Sequence, residues 1–208
     1  MLYNLFAQFV DQFTFLNVFR YITFRTGGAM LTALIVSFLL GPYVIQLLKS
    51  RQTAGQPIRE DGPEGHILTK TGTPTMGGFL ILMALLVATL LWADLRNGYI
   101  WAALGVTVSY GLIGFFDDYI KVSQKNSKGL PGRLKILLQI IFATAATAWI
   151  VSLTSPPLAT SLALPFFKSL LIDLGWFFIA FGVLVMVGAS NSVNLTDGLD
   201  GLAIGPVM

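Results

Sequence analysis

Charged residues are scarce in this sequence: Asp, Glu, Lys and Arg make up 11% of its 208 residues, against about 25% in a typical soluble domain. Cysteine is absent, which excludes disulfides and thiolate-bound metal ions. His66 is the only histidine and by itself indicates no site. Hydrophobic residues, in contrast, reach 55%, so the composition is that of a membrane protein.

Five uncharged runs divide the chain. Each has about the 20 residues that a helix needs to cross a bilayer, or more, and a helix satisfies its own backbone hydrogen bonds in lipid. We therefore predict an all-α, polytopic transmembrane helix bundle. The last residues, GLAIGPVM, indicate the start of a sixth span, so we expect a single transmembrane domain over residues 1–208 that is truncated at its C-terminus. The five complete spans are predicted within residues 26–48, 71–93, 97–116, 136–167 and 174–196.

Basic residues are unevenly distributed between the predicted loops. Nine of the 13 Lys and Arg residues lie in residues 49–70 and 121–135, and the positive-inside rule places such loops in the cytoplasm. The N-terminus is then periplasmic. Four polar, Gly-rich segments fall on the cytoplasmic side, where we expect them to form one site: DGPEGH, KTGTPTMGG, DDYIK and NSVNLTDGLDG.

The third span ends in GFFDDYIK, where Asp117 and Asp118 follow 20 uncharged residues. The helix macrodipole disfavours an anion at a helix C-terminus by about 0.3–1 kcal/mol, and a cation, either a metal ion or a lysine, could offset this cost for two adjacent carboxylates. One interpretation is an ion pair between Asp117 and Lys121 at spacing i,i+4, with Asp118 solvated. The other is a metal site or a general base, since Mg²⁺ prefers carboxylate oxygens together with water and phosphate.

Two further segments suit phosphate or nucleotide chemistry. In NSVNLTDGLDG, Asn194, Asp197 and Asp200 recur at every third residue and share a broad polar stripe of a helix; solvation of a span end is the alternative. In KTGTPTMGG, Lys70 precedes a Gly-rich helix start, which suits a phosphate, although small residues also serve helix packing. The basic loop of residues 121–135 could equally bind anionic lipid headgroups.

The order of these segments resembles that of a known family. YITFRTGGAMLTAL, DGPEGH, GTPTMGG, GFFDDYIK, PFFK and NSVNLTDGLDGLAIGP cover essentially the whole chain in the order found in phospho-N-acetylmuramoyl-pentapeptide transferases. These form a branch of the polyprenyl-phosphate N-acetylhexosamine-1-phosphate transferases. DDxxK and NxxNxxDGxDG are typical of the whole superfamily, whereas TPTMGG and DGPEGH indicate the muramoyl branch.

The resemblance implies a Mg²⁺-dependent phospho-sugar transferase. Such an enzyme moves phospho-MurNAc-pentapeptide from UDP-MurNAc-pentapeptide to undecaprenyl phosphate, giving lipid I and UMP in the first membrane step of peptidoglycan synthesis. Membrane lipid is then a further partner, whereas nucleic acid is not. The formation of a homodimer is a possibility that the resemblance leaves open. The implied location is the bacterial inner membrane, with a multi-pass chain whose active site is on the cytoplasmic side.

The resemblance also implies roles for residues in the matching motifs. Asp117, Asp118 and Asp197 are the implied catalytic residues. Asp117 and Asp118 would also bind the metal ion, and Asp117 would deprotonate or position the attacking lipid phosphate. The implied substrate-binding residues are Lys70 at the UDP moiety, Leu195 beside the uridine, Lys121 and Lys135 at phosphate, and Asn194 and Asp200 in the nucleotide and metal region.

Three other interpretations stay open. A sister enzyme could transfer GlcNAc-1-phosphate to a polyprenyl phosphate, and an ion-coupled transporter could use the carboxylates as a cation site. The third is a membrane fragment without activity. Because the family's bundle has more spans than are predicted here, we expect the 208-residue chain alone to be catalytically incomplete.

Overall fold

The computed structural model describes residues 1–52, 74–124, 129–167 and 170–196. Most of these residues are helical, which confirms the predicted all-α class. Two short strands, β1 (Ser161–Ala163) and β2 (Leu171–Asp173), form an antiparallel pair, and Thr14–Arg20 and Leu158–Thr160 are 3₁₀ helices. The α-helices are α1 (Leu2–Phe6), α2 (Ile22–Arg51), α3 (Gly78–Trp92), α4 (Gly98–Ser123), α5 (Gly132–Leu153) and α6 (Phe177–Thr196).

Four helices in the described part of the chain are long and apolar enough to cross a membrane: α2, α4, α5 and α6. They confirm four of the five predicted spans. The span predicted over residues 71–93 is a shorter apolar helix, because α3 begins only at Gly78 and has 15 residues. Residues 71–73 and the predicted sixth span after residue 196 lie outside the described residues.

The charged end of the third predicted span is helical as well. α4 continues through Asp117 and Asp118 to Ser123, whereas the uncharged run ends at residue 116. A carboxylate and a lysine three or four residues apart stabilise a helix, so the helix persists where the charges begin. The two carboxylates consequently lie in the last two turns of α4 rather than at its terminus.

The predicted span within residues 136–167 is confirmed by α5, but the helix does not fill the whole apolar run. α5 ends at Leu153, and Pro156 and Pro157 follow shortly after. Proline offers no N–H for a helix and restricts the residue before it to extended backbone. The chain therefore leaves the helix here and forms the β1–β2 pair before α6.

The chain divides into two compact units, Met1–Pro131 and Gly132–Met208. In the second unit, α5 packs against α6. A Cβ atom added to Gly182 would lie 2.8 Å from Cγ2 of Thr147, so the glycine permits a close approach of the two helices. Small residues serve this purpose at helix contacts in membranes.

In the first unit, α2 packs against α3 where Gly28 faces the ring of Trp92. A Cβ atom at Gly28 would lie 2.5 Å from two ring carbons of Trp92. The ring is held from other sides, because it stacks on Phe19 at 5.9 Å between centroids and donates from Nε1 to Oγ1 of Thr32 at 2.9 Å. The contact therefore fixes one end of α3 against α2.

Replacing Gly28 with alanine is expected to destabilise the protein by about 1–3 kcal/mol, the usual cost of overpacking. Gly27→Ala is the matched control, since a Cβ atom there meets nothing within 4 Å and alanine gains up to about 1 kcal/mol in helix propensity. Thermal unfolding in detergent measures both. Equal unfolding temperatures for the two variants would contradict the close contact.

Candidate active site

Lys121 lies between the two carboxylates near the end of α4. Its ammonium nitrogen is 2.6 Å from Oδ2 of Asp117 and 3.3 Å from Oδ1 of Asp118, at the i,i+4 and i,i+3 spacings that face each other on a helix. The side chains of Asp117 and Lys121 are 13% and 28% exposed. Because Lys121 is in the last turn of α4, its positive charge also offsets the unfavourable effect of the helix dipole on the carboxylates.

A residue outside α4 contacts the other oxygen of Asp118. Thr75, three residues before the start of α3, donates its hydroxyl to Oδ2 of Asp118 at 2.9 Å. The backbone N–H of Thr75 donates in turn to the side-chain oxygen of Gln52 at 2.9 Å. Gln52 directly follows α2 and is 6% exposed. The end of α2, the segment before α3 and the end of α4 therefore meet at one place.

The loop after α4 contacts the remaining oxygen of Asp117. The backbone N–H of Leu130 donates to Oδ1 of Asp117 at 2.8 Å. Gly129 before it has φ +59°, in the left-handed region that favours glycine. A Cβ atom at Gly129 would collide with this carboxylate and lie 2.7 Å from Cε of Lys121. A glycine is therefore required for the loop to approach the carboxylates this closely.

All four carboxylate oxygens of Asp117 and Asp118 accept hydrogen bonds from protein groups. The predicted ion pair between Asp117 and Lys121 is confirmed. The same interpretation left Asp118 solvated, whereas in the structure Asp118 accepts hydrogen bonds from both Lys121 and Thr75. Thr75 lies too far away in the sequence for helical spacing to indicate this contact.

Two carboxylates against one ammonium group leave one negative charge in this cluster. Among the described residues, no group of three or more Asp, Glu or His side chains could hold a metal ion. Mg²⁺ in proteins is commonly bound by one or two carboxylates, with water and phosphate oxygens completing its octahedron. The donor chemistry and the charge of Asp117 and Asp118 therefore fit a divalent cation that binds together with a phosphate.

The second unit carries the other predicted site residues that the structure describes. Lys135 is in the first turn of α5, and Asn194 and Leu195 are in the last turn of α6. They lie at the same end of this helix pair, because Asn191 donates from Nδ2 to Oε1 of the buried Gln139 at 2.8 Å. Asn194 is exposed and Leu195 is 80% exposed, so both side chains are accessible to a ligand.

Lys70, Asp197 and Asp200 lie outside the described residues, and their roles stay predictions. Thr75 and Gln52 contribute to the cluster although neither was predicted as a site residue. A signal existed for Thr75, since it belongs to the GTPTMGG segment that carried the resemblance. Gln52 had no such signal, because its position beside Thr75 depends on the packing of helices.

Residues 100–208, just over half of the chain, match glycosyl transferase family 4. The chain therefore belongs to this family of transferases. Over all of its 208 residues it is 62% identical to a phospho-N-acetylmuramoyl-pentapeptide-transferase from Granulibacter bethesdensis, and it spans 58% of the length of that relative. The resemblance that the motifs indicate is thereby confirmed.

Replacing Gly129 with alanine is expected to loosen the loop from Asp117. A left-handed backbone conformation costs an L-residue about 1–2 kcal/mol. Because about 1.4 kcal/mol corresponds to a factor of ten, hydrogen exchange at the Leu130 amide should be roughly tenfold faster in the variant. Gly132→Ala is the control, because a Cβ atom there meets nothing within 4 Å. Hydrogen exchange followed by mass spectrometry compares the two, and equal rates would contradict the required glycine.

Proposed function

We propose that this chain is part of a phosphoglycosyl transferase that moves phospho-MurNAc-pentapeptide from UDP-MurNAc-pentapeptide to undecaprenyl phosphate, giving lipid I and UMP. The observation that carries the proposal is the cluster of Asp117, Asp118 and Lys121 in a helix long enough to cross a membrane. The similarity to a phospho-N-acetylmuramoyl-pentapeptide-transferase supports the muramoyl donor over the sister GlcNAc-1-phosphate reaction. Such a cluster suits a reaction between a lipid phosphate and a nucleotide sugar.

Control of charge is the main task of such a site. A phosphate monoester has a second pKa of about 6, so the lipid phosphate is largely dianionic near neutral pH and needs little help from a base. The pyrophosphate of the donor brings further negative charge. Phosphoryl transfer of this kind depends mostly on positioning and on nearby cations. We therefore assign Asp117 to positioning and charge control rather than to deprotonation.

Mg²⁺ is the cofactor that this charge balance favours. Asp117 and Asp118 would hold it, since their oxygens match its ligand preference. When bound, the ion would supply charge neutralisation between the reacting phosphates. The chain itself keeps the two carboxylates in place: Lys121 binds one oxygen of each, while the Leu130 amide and the Thr75 hydroxyl bind the other two.

The remaining assignments follow the matching motifs. The nucleotide would approach from the cytoplasmic side of the inner membrane, the side that the basic loops favour. Exposure of Asn194 and Leu195 at the end of α6 supports a role in binding it. The assigned contacts are Lys121 and Lys135 with phosphate, Lys70 with the UDP moiety, Leu195 with uridine, and Asn194, Asp197 and Asp200 with the nucleotide and metal region.

The first experiment compares two lengths of the protein. Mg²⁺-dependent release of UMP from UDP-MurNAc-pentapeptide, with undecaprenyl phosphate in detergent, is measured for the 208-residue chain and for a chimera. The chimera joins the chain to the part of the Granulibacter relative that it does not cover. Since the chain spans 58% of the length of that relative, we expect activity in the chimera alone.

Lipid I synthesis by the 208-residue chain would contradict the expected incompleteness. Activity of the chimera with UDP-GlcNAc in place of the muramoyl donor would instead favour the sister branch. An inactive chimera, with a folded relative active in the same assay, would refute the proposed function of this segment.

Asp117→Asn in the chimera is expected to lower kcat by about 10²- to 10³-fold, the usual effect of losing one charge-stabilising group. Asparagine keeps the size of the side chain and an oxygen that can accept from Leu130, so the variant removes the negative charge and the acceptor for Lys121. The control is Asp11→Asn, an exposed aspartate outside the cluster. Turnover retained by Asp117→Asn would remove both the metal role and the positioning role.

A further inference from the structure

The side-chain amide of Gln52 hydrogen-bonds both main-chain groups of Thr75, its N–H and its carbonyl. Its Oε1 accepts from the Thr75 N–H at 2.9 Å, and its Nε2 donates to the Thr75 carbonyl at 3.3 Å. A carboxamide that pairs with both backbone groups of one residue acts like a neighbouring strand and fixes the residue's direction as well as its position. Gln52 is only 6% exposed. A buried side-chain amide needs protein hydrogen-bond partners in place of water, and Thr75 supplies them.

The backbone beside Thr75 is in a conformation that needs such support. Met76 has φ +72°, in the left-handed region where residues with a Cβ atom are disfavoured. Nε2 of Gln52 also lies 3.5 Å from Sδ of Met76. Strained backbone persists where its surroundings hold it firmly, and it is concentrated at functional sites. Gln52 therefore supports the segment of Thr75 and Met76, which connects the start of α3 to the carboxylate cluster.

The position of Thr75 affects Asp118 through the hydroxyl group of Thr75. This hydroxyl donates to Oδ2 of Asp118 at 2.9 Å, while Lys121 contacts Oδ1 at 3.3 Å. An aspartate with a donor at each oxygen is fixed in its rotation. A reacting group displaced by about 1 Å can cost 10²-fold in rate, so the geometry of Thr75 bears on any reaction at Asp118.

We propose that Gln52 is a positioning residue of the active site, which fixes the orientation of Asp118 through the main chain and hydroxyl of Thr75. The inference rests on the proposed transferase function and extends it to a residue outside the assigned motifs. In this role Gln52 acts through Thr75 and not on a substrate. Its effect is on how well the carboxylate is aligned, and so on kcat rather than on substrate binding.

The test measures UMP release by the active chimera and its variants. Gln52→Leu removes both hydrogen-bonding groups, and Thr75→Val removes the hydroxyl at constant size. Each is expected to lower kcat about 10- to 100-fold, as losses of orienting contacts commonly do, with KM for both substrates changed by less than about twofold. The double variant should be no slower than the slower single one, because the two residues act in series.

Two further variants separate positioning from folding. Thr75→Ser keeps the hydroxyl and should recover most of the kcat that Thr75→Val loses. Gln46→Leu makes the same substitution at an exposed position of α2 and should behave as the parent. If Gln52→Leu does not fold, Gln52→Glu replaces it, since it keeps the acceptor for the Thr75 N–H, loses the donor, and is expected to lower kcat in the same way.

Two results with an active parent would overturn this inference alone. One is a kcat that Gln52→Leu leaves unchanged. The other is a double variant in which the losses from Gln52→Leu and Thr75→Val multiply. A serine variant as slow as Thr75→Val would overturn it as well. An inactive parent would refute the proposed function, and the positioning role with it.

Discussion

An ammonium group held between two neighbouring carboxylates is the interaction on which the described site depends. Charges that are partly removed from water need partners, and Lys121 finds both of its partners on its own helix. This pairing keeps α4 helical beyond its uncharged part. It also leaves one oxygen of each carboxylate for donors from other segments, which Leu130 and Thr75 provide. The three charged residues thereby determine where the neighbouring loops can lie.

α3 connects this cluster to a contact at the other end of the first unit. Its last residue, Trp92, packs on Gly28 of α2, and the segment before its first residue binds Asp118 through Thr75. Both ends of a short helix are therefore held by specific contacts. The alignment of the carboxylates consequently depends on helix packing as well as on local hydrogen bonds.

Much of this architecture could be predicted because it follows from local composition. Uncharged runs indicate helices that can cross a membrane, and the spacing of Asp117 and Lys121 indicates their ion pair. Two features could not be predicted, for different reasons. The end of α5 before Pro156 was hidden by the apolar residues that continue beyond it. The contact of Gln52 with Thr75 joins residues far apart in sequence, so no periodicity reveals it.

The length of α3 has a consequence for the surrounding lipid. Fifteen residues rise about 22 Å, less than the roughly 30 Å of bilayer hydrocarbon. Either the bilayer is thinner beside this helix, or the polar segment that precedes it lies below the headgroups. In both cases Thr75, and the Asp118 carboxylate that it contacts, lie closer to the acyl chains than they would beside a full-length α3. The proposed lipid substrate, anchored by its isoprenoid tail, would then present its phosphate without being lifted out of the membrane.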